Sequence, residues 1–198
     1  MLVFHKENLV LLAVPKTGTS ALSAALAPRA SIVLRDPPRL KHMPVQRYQR
    51  FLAPLLAQGT GQPPELMAVV RNPVDWLGSW YRYRHRDALA GKPNSTRGVS
   101  FDEFVLEHLK DAPAPFAEVG SQAQFLNAVD APAPVQHLFR YEAQPLILAF
   151  LAERLGRAVD LKPVNVSPDL PLALSDNTRA ALHTARAADF ALWQSARH

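Results

Sequence analysis

Short apolar strands alternating with helices predict an α/β fold: helical layers on either side of a central parallel sheet. Three observations carry this expectation. Apolar runs rich in Val and Leu occupy 9–14 and 65–70, the length and composition of buried strands, and 135–141 also reads as a strand. Each run is followed by residues with helical spacing. Proline- and glycine-rich breaks separate the units. The chain has 198 residues, enough for one domain with its own core. No repeat or long linker divides it, so a single domain over 1–198 is expected.

In order, the strand at 9–14 leads into a helix at 20–27, where apolar residues recur at helical spacing. A strand at 31–34 and a helix at 44–57 follow. The strand at 65–70 runs into a helix at 73–90, with Pro73 suited to a first helical turn because its missing N–H costs nothing there. Gly, Pro, Asn, Ser and Thr then mark a loop from Gly91 to Ser100. Ser100 with Glu103 forms a capping box that opens a helix through Leu109. Proline-rich breaks at Asp111 to Pro115 and Ala131 to Pro134 flank a short helix. The strand at 135–141 is followed by a helix from Pro145 that stops at Gly156. The C-terminal third is expected to be mostly helical, with a last run to Trp193.

Chemistry is concentrated where two strands end. After Leu9–Val14 comes Pro15-Lys16-Thr17-Gly18-Thr19-Ser20, and then the helix. A strand that turns through a glycine into a helix presents unpaired backbone N–H groups at the helix start, where the dipole favours an anion. Lys16 adds positive charge, and Thr17, Thr19 and Ser20 add donors. The loop is therefore expected to hold a phosphate or a sulfate. It departs from the nucleotide-triphosphatase pattern: Lys16 comes two residues before Gly18, and Ala13 stands where the earlier glycine belongs.

The strand at 65–70 ends in Arg71-Asn72-Pro73-Val74-Asp75-Trp76-Leu77-Gly78-Ser79-Trp80-Tyr81. Two helical turns return Ser79 to the side that carries Asn72 and Trp76, at a rise of roughly 10 Å. The Pro15–Ser20 loop resembles the 5′-phosphosulfate loop of sulfotransferases that use 3′-phosphoadenylyl sulfate (PAPS). The Arg71–Tyr81 segment resembles their 3′-phosphate-binding segment, especially in the carbohydrate-sulfating branch. Trp76 departs from it, since many relatives carry a basic residue there. The resemblance implies a P-loop-like fold and a soluble, bacterial-like form of these enzymes. It also implies PAPS as co-substrate and PAP as product. Lys16, Thr17, Gly18, Thr19 and Ser20 would hold the 5′-phosphosulfate, and Arg71 and Ser79 the 3′-phosphate. An "RYE" after a strand recurs in this superfamily; here it is Arg140-Tyr141-Glu142, with Arg140 and Glu142 read as structural. Asn165-Val166-Ser167 and the helical end also resemble the C-terminal part of these enzymes.

Sulfuryl transfer needs a base for the acceptor proton and a positive charge for the leaving oxygen. Lys16 suits the second role. For the first, His42 stands out in the loop from Arg35 to His42, on the ligand side after the second strand. Neighbouring cations should keep it neutral, and a Lys-His pair here resembles the carbohydrate branch. Asp36 and Glu142 are the alternative bases. His5, His85, His108, His137 and His183 show no metal-site spacing, and transfer without a metal is the expectation. With no cysteine, disulfides and thiolate catalysis are excluded. No apolar stretch approaches the ~20 residues of a membrane span, and Met1–Val14 makes a poor secretory signal. A cytoplasmic location is expected.

Net charge is +5, with a pI near 9.8. Arg35, Arg39 and Lys41 cluster early, and Arg82, Arg84, His85 and Arg86 crowd one helix. A basic cleft for polyanionic PAPS accounts for such a balance without nucleic acid. The expected partner is a carbohydrate or small-molecule acceptor. Three other readings stand beside this one. A small-molecule kinase of P-loop type is disfavoured by the place of Lys16, and because Arg71, not Asp, ends the strand. A nucleic-acid module is disfavoured by the lack of interleaved aromatics on a strand face. A ligand-binding relative without catalysis is disfavoured by the presence of Lys16, Arg71 and Ser79.

Overall fold

A computed structural model describes residues 1–58, 61–131, 133–161 and 170–198. Asn165-Val166-Ser167 lies outside these residues. The chain is mixed α/β, with an open five-stranded sheet and helices against both faces. The strands are β1 (Leu2–Phe4), β2 (Leu9–Leu11), β3 (Ile32–Val33), β4 (Glu65–Val70) and β5 (His137–Arg140), in the order β3-β1-β2-β4-β5.

The sheet is mixed where a parallel one was expected. β2 pairs parallel with β4, and β4 with β5, but β1 runs antiparallel to both β2 and β3. The reason is local. Only His5 to Asn8 connect β1 to β2, and so short a connection closes a hairpin, whereas a parallel crossover needs a dozen residues or more. Asn8 takes a left-handed conformation at φ 51° and donates its N–H to the His5 carbonyl at 3.2 Å.

Side-chain alternation divides the core. Val3, Val10, Ala68 and Val70 face one layer with Val45, Tyr48, Leu56 and Leu192. Leu9, Leu11, Met67, Val69 and Phe139 face the other with Leu22, Leu26, Ile147 and Leu151. The first layer contains α3 (Val45–Arg47), a π-helical turn (Tyr48–Leu52), α4 (Ala53–Ala57) and α10 (Ala187–Ser195). The second contains α1 (Thr19–Leu26) and α8 (Gln144–Leu155). A third cluster, around Trp76, Leu77, Tyr81, Phe104 and Leu182, joins α5 (Pro73–Arg84), α6 (Phe101–His108) and α9 (Asp176–Ala185).

Two boundaries show which forces set element length. α6 starts at the predicted capping box, with both arms formed: the Glu103 N–H donates to Ser100 Oγ, and the Ser100 N–H donates to Glu103 Oε2. α5 ends at Arg84, short of the expected residue 90. The following loop takes its last carbonyls: Thr96 Oγ1 donates to Tyr81 O at 2.9 Å, and the Arg97 guanidinium donates to His85 O at 3.2 Å.

Candidate functional site

The loop after β2 is built to leave donors outward. Hydrogen bonding continues past the strand, from the Leu12 N–H to Met67 O at 2.9 Å, and the buried stretch then ends at Pro15. Lys16 adopts φ 66° and Gly18 φ 76°, both left-handed, so the chain doubles back before α1 begins at Thr19. A β-carbon on Gly18 would lie 2.9 Å from the Tyr141 ring. Glycine is needed there both for its backbone and for its lack of a side chain. No side chain caps α1, and no acidic residue sits in its first turn, which keeps that helix end available to an anion.

Among the described residues, one loop hydroxyl, that of Ser20, bonds a side chain of another segment. Thr17 is buried and donates to Val14 O at 2.9 Å, holding the turn; Thr19 is buried as well. Neither hydroxyl is therefore turned outward to a ligand. Ser20 Oγ accepts from Lys41 Nζ at 3.2 Å, which ties the loop to the segment carrying His42.

The Lys16 ammonium lies 4.3 Å from the Tyr83 ring centre and 5.6 Å from that of Trp80. Burial, aided by the charges of Arg86 and Arg71, lowers its pKa to about 8. Among the described residues, no carboxylate forms an ion pair with Lys16, Lys41 or Arg71.

Arg71 follows β4 and reaches the same place from the neighbouring strand. Its backbone is clamped by the buried Gln122 side chain: the Arg71 N–H donates to Gln122 Oε1 at 2.9 Å, and Gln122 Nε2 donates to Arg71 O at 2.8 Å. The guanidinium sits 4.6 Å over the Tyr141 ring, and among the described residues its buried Nε has no hydrogen-bond partner. Tyr141 thus touches Arg71 on one side and crowds Gly18 on the other. Asn72 caps α5 by accepting from the Val74 N–H at 3.0 Å. Ser79 is half-buried in α5, and among the described residues no hydrogen bond occupies its hydroxyl.

His42 follows the short helix α2 (Pro38–Lys41). Its Nδ1 lies 2.6 Å from Ala13 O, two residues past the end of β2. A carbonyl can only accept, so Nδ1 carries the proton and Nε2 keeps its lone pair. Burial lowers the His42 pKa, with Lys41, the terminal ammonium and Lys16 adding to it against the Ala13 bond. The imidazole is held neutral and in one tautomer.

The alternative bases differ. Both Glu142 oxygens are engaged: Oε1 accepts from the Asn72 N–H at 2.9 Å and Oε2 from Trp193 Nε1 at 3.1 Å. Arg140 donates to Trp193 O and Gln194 O. These two residues fasten α10 to the sheet. Asp36 is exposed on the loop before α2.

Sequence reasoning missed three contributors. Trp76 donates its indole N–H to Pro15 O at 2.8 Å and so locks α5 to the loop; its departure from the family pattern was the signal. Tyr141 was visible only as the centre of a strand-end triplet. Gln122 carried no signal, because its pairing with Arg71 spans 51 residues. Two hollows among the described residues lie elsewhere, one beside His108 and Arg186, the other beside β5 and α10.

No known family model matches the chain, and no curated protein is significantly similar to it.

Proposed function

We propose that the protein is a PAPS-dependent sulfotransferase. It would move a sulfuryl group to a hydroxyl or amine of a carbohydrate or other small acceptor in the cytoplasm, without a metal. One observation carries this reading: two anion-seeking segments distant in sequence converge on Tyr141. One offers the left-handed Lys16–Gly18 turn at an uncapped helix start, the other an arginine whose buried Nε has no partner. In the same reading, the parallel β2-β4-β5 core is the P-loop-like part of the fold, with the loops gathered at the carboxyl ends of its strands.

The residues fit such a ligand. The unpaired Arg71 Nε and the free Ser79 hydroxyl suit the 3′-phosphate, and the N–H groups from Gly18 to Ser20 suit the 5′ end. When bound, PAPS supplies an activated sulfuryl group on a phosphate leaving group. Lys16 swings from its aromatic cradle to neutralise charge on the departing oxygen. His42 accepts the acceptor proton at Nε2, while its Nδ1–H stays bonded to Ala13 O. The protonated imidazole then forms among cations that oppose it, which favours release of the proton.

Calorimetric titration with PAP, ADP and ATP tests the reading. A charged bond from Arg71 to the 3′-phosphate contributes on the order of 1.5–3 kcal/mol. PAP should therefore bind at least about tenfold more tightly than ADP, and Arg71→Ala should remove most of that difference. Equal affinities would overturn the reading. Transfer from PAPS should also persist in EDTA; activity lost to chelator and restored by Mg²⁺ would favour the kinase.

A further inference from the structure

We propose that the helical stretch 45–57 is a docking face for an anionic lipid surface, with Phe51 and Leu55 as its apolar wedge. One face of this stretch belongs to the core, through the buried Val45, Tyr48, Ala53 and Leu56. The opposite face is turned to solvent. Phe51 and Leu55, four residues apart, are the two most exposed large apolar side chains among the described residues, at 58% and 57%. Arg47 and Arg50 are exposed beside them, and the Arg50 guanidinium lies 5.2 Å over the Phe51 ring.

Charge complementarity identifies the occupant. From Pro37 to Pro64 the chain has Arg39, Lys41, Arg47 and Arg50 but no Asp or Glu. Among the described residues neither Arg47 nor Arg50 forms an ion pair, so their charge is directed outward. A helix with cations on its polar rim and Phe and Leu at its crest is the pattern that lies in a membrane interface. Attraction to anionic headgroups there adds to burial of the apolar side chains. A folded protein partner fits less well. Such an interface buries about 800 Å² per side around pocketed anchors, and neither of the two hollows described above reaches Phe51 or Leu55.

Docking stands independently of what the Pro15–Ser20 loop binds. If the sulfotransferase reading also holds, docking sets His42, three residues before α3, close to the lipid headgroups. An acceptor carried on a lipid would then reach it from that side.

Flotation of the full chain with vesicles tests the proposal. Vesicles of phosphatidylcholine alone should not carry the protein. Vesicles with about 30% phosphatidylserine should carry it, less so as salt is raised to about 0.5 M. R47E/R50E and F51S/L55S should each lose at least about tenfold in binding, with circular dichroism unchanged because all four side chains are exposed. Phe51→Trp should add a blue-shifted emission component with the anionic vesicles, measured against the wild type. Absence of flotation with those vesicles would overturn the proposal, as would equal binding by R47E/R50E. A Phe51→Trp spectrum that bound vesicles leave unshifted would overturn it too, because the wedge would then not enter lipid; an acidic protein would be the better occupant.

Discussion

Arg71 and Arg84 stand at the two ends of α5, each beside aromatic rings, and in the sequence they look alike. Arg84 is buried and engaged through both terminal nitrogens: Nη1 donates to Pro115 O at 2.5 Å, Nη2 to Glu118 O at 2.7 Å, and Trp80 lies beneath. Arg71 has its backbone clamped, but its side chain leaves a buried Nε unpaired. The two histidines His42 and His108 repeat the contrast. Each sets Nδ1 against a carbonyl, Ala13 O or Ala117 O. His108 is buried at the C-terminal end of α6, with burial lowering its pKa to about 4, whereas His42 is only half-buried, beside the loop. The cation and imidazole proposed to act on a ligand differ from the structural pair in how many of their donors and acceptors the fold has already used.

The largest expected effect breaks or sustains the histidine half of this contrast. Loss of a positioned base costs ~10²–10⁴-fold in rate. His42→Ala should lower PAPS-dependent turnover by that much and leave PAP affinity nearly unchanged. The wild-type rate should fall as acid protonates His42, on a limb below the ordinary 6.5 because its pKa is lowered, and the limb should vanish in the variant. His108→Ala should instead reduce stability and leave turnover per folded molecule intact. If His42→Ala stays within about threefold of wild type with chemistry rate-limiting, the role passes to Asp36.

The arginine half is tested by unfolding. Arg84→Ala leaves two carbonyls without their charged donor, at a cost of about 3 kcal/mol. Arg71→Ala removes a side chain whose bonding capacity is unspent, and should cost ~1 kcal/mol or less. Urea denaturation of the two variants measures both. Equal destabilisation would make Arg71 another structural arginine and remove the main support for a 3′-phosphate site.

Much of this architecture is legible in the sequence where the forces are local. The strand end at Val70, the capping box at Ser100 and the Pro73 helix start all follow from neighbouring residues, whereas β2 stops at Leu11, three residues short of the expected Val14. β1 was the main omission, although Met1-Leu2-Val3-Phe4 is an apolar run; its partner strand is set by the hairpin turn. The site is legible in its residues but not in its arrangement. Nothing near Lys16 indicates that its ammonium rests on Tyr83, and nothing near Trp76 indicates that its indole donates to Pro15 O. Such facts depend on contacts between distant segments, which residue spacing does not encode.

Gly18 tests whether the Lys16 turn and Arg71 share one frame through Tyr141. Gly18→Ala places a residue at φ 76° and drives a methyl to 2.9 Å from the Tyr141 ring. Backbone strain and the displaced ring together should cost about 2 kcal/mol, and PAP binding should weaken through both segments. In Gly18→Ala/Tyr141→Ala the crowding is relieved, so the double variant should be more stable than the sum of the single effects predicts. Strict additivity would mean that the loop and Arg71 are not coupled through this ring.

The smallest effect concerns Lys16 itself. Its pKa in the free protein is lowered to about 8, and a bound polyanion should raise it, because the charged form gains a partner. Between these two values binding requires proton uptake, so PAP affinity should fall as pH rises from 7 to 9, by up to about tenfold. Below pH 8 Lys16 is already charged and affinity should level off. The sign for stability is opposite: lowering the pKa in the fold penalises the charged form, so that penalty lifts as pH rises from about 8 towards the ordinary lysine value. Lys16→Arg keeps its charge throughout and should flatten the binding profile. A wild-type affinity that stays constant from pH 7 to 9 would mean the ammonium remains on Tyr83 and Trp80 when the ligand is bound, and would leave the leaving-group role without a residue.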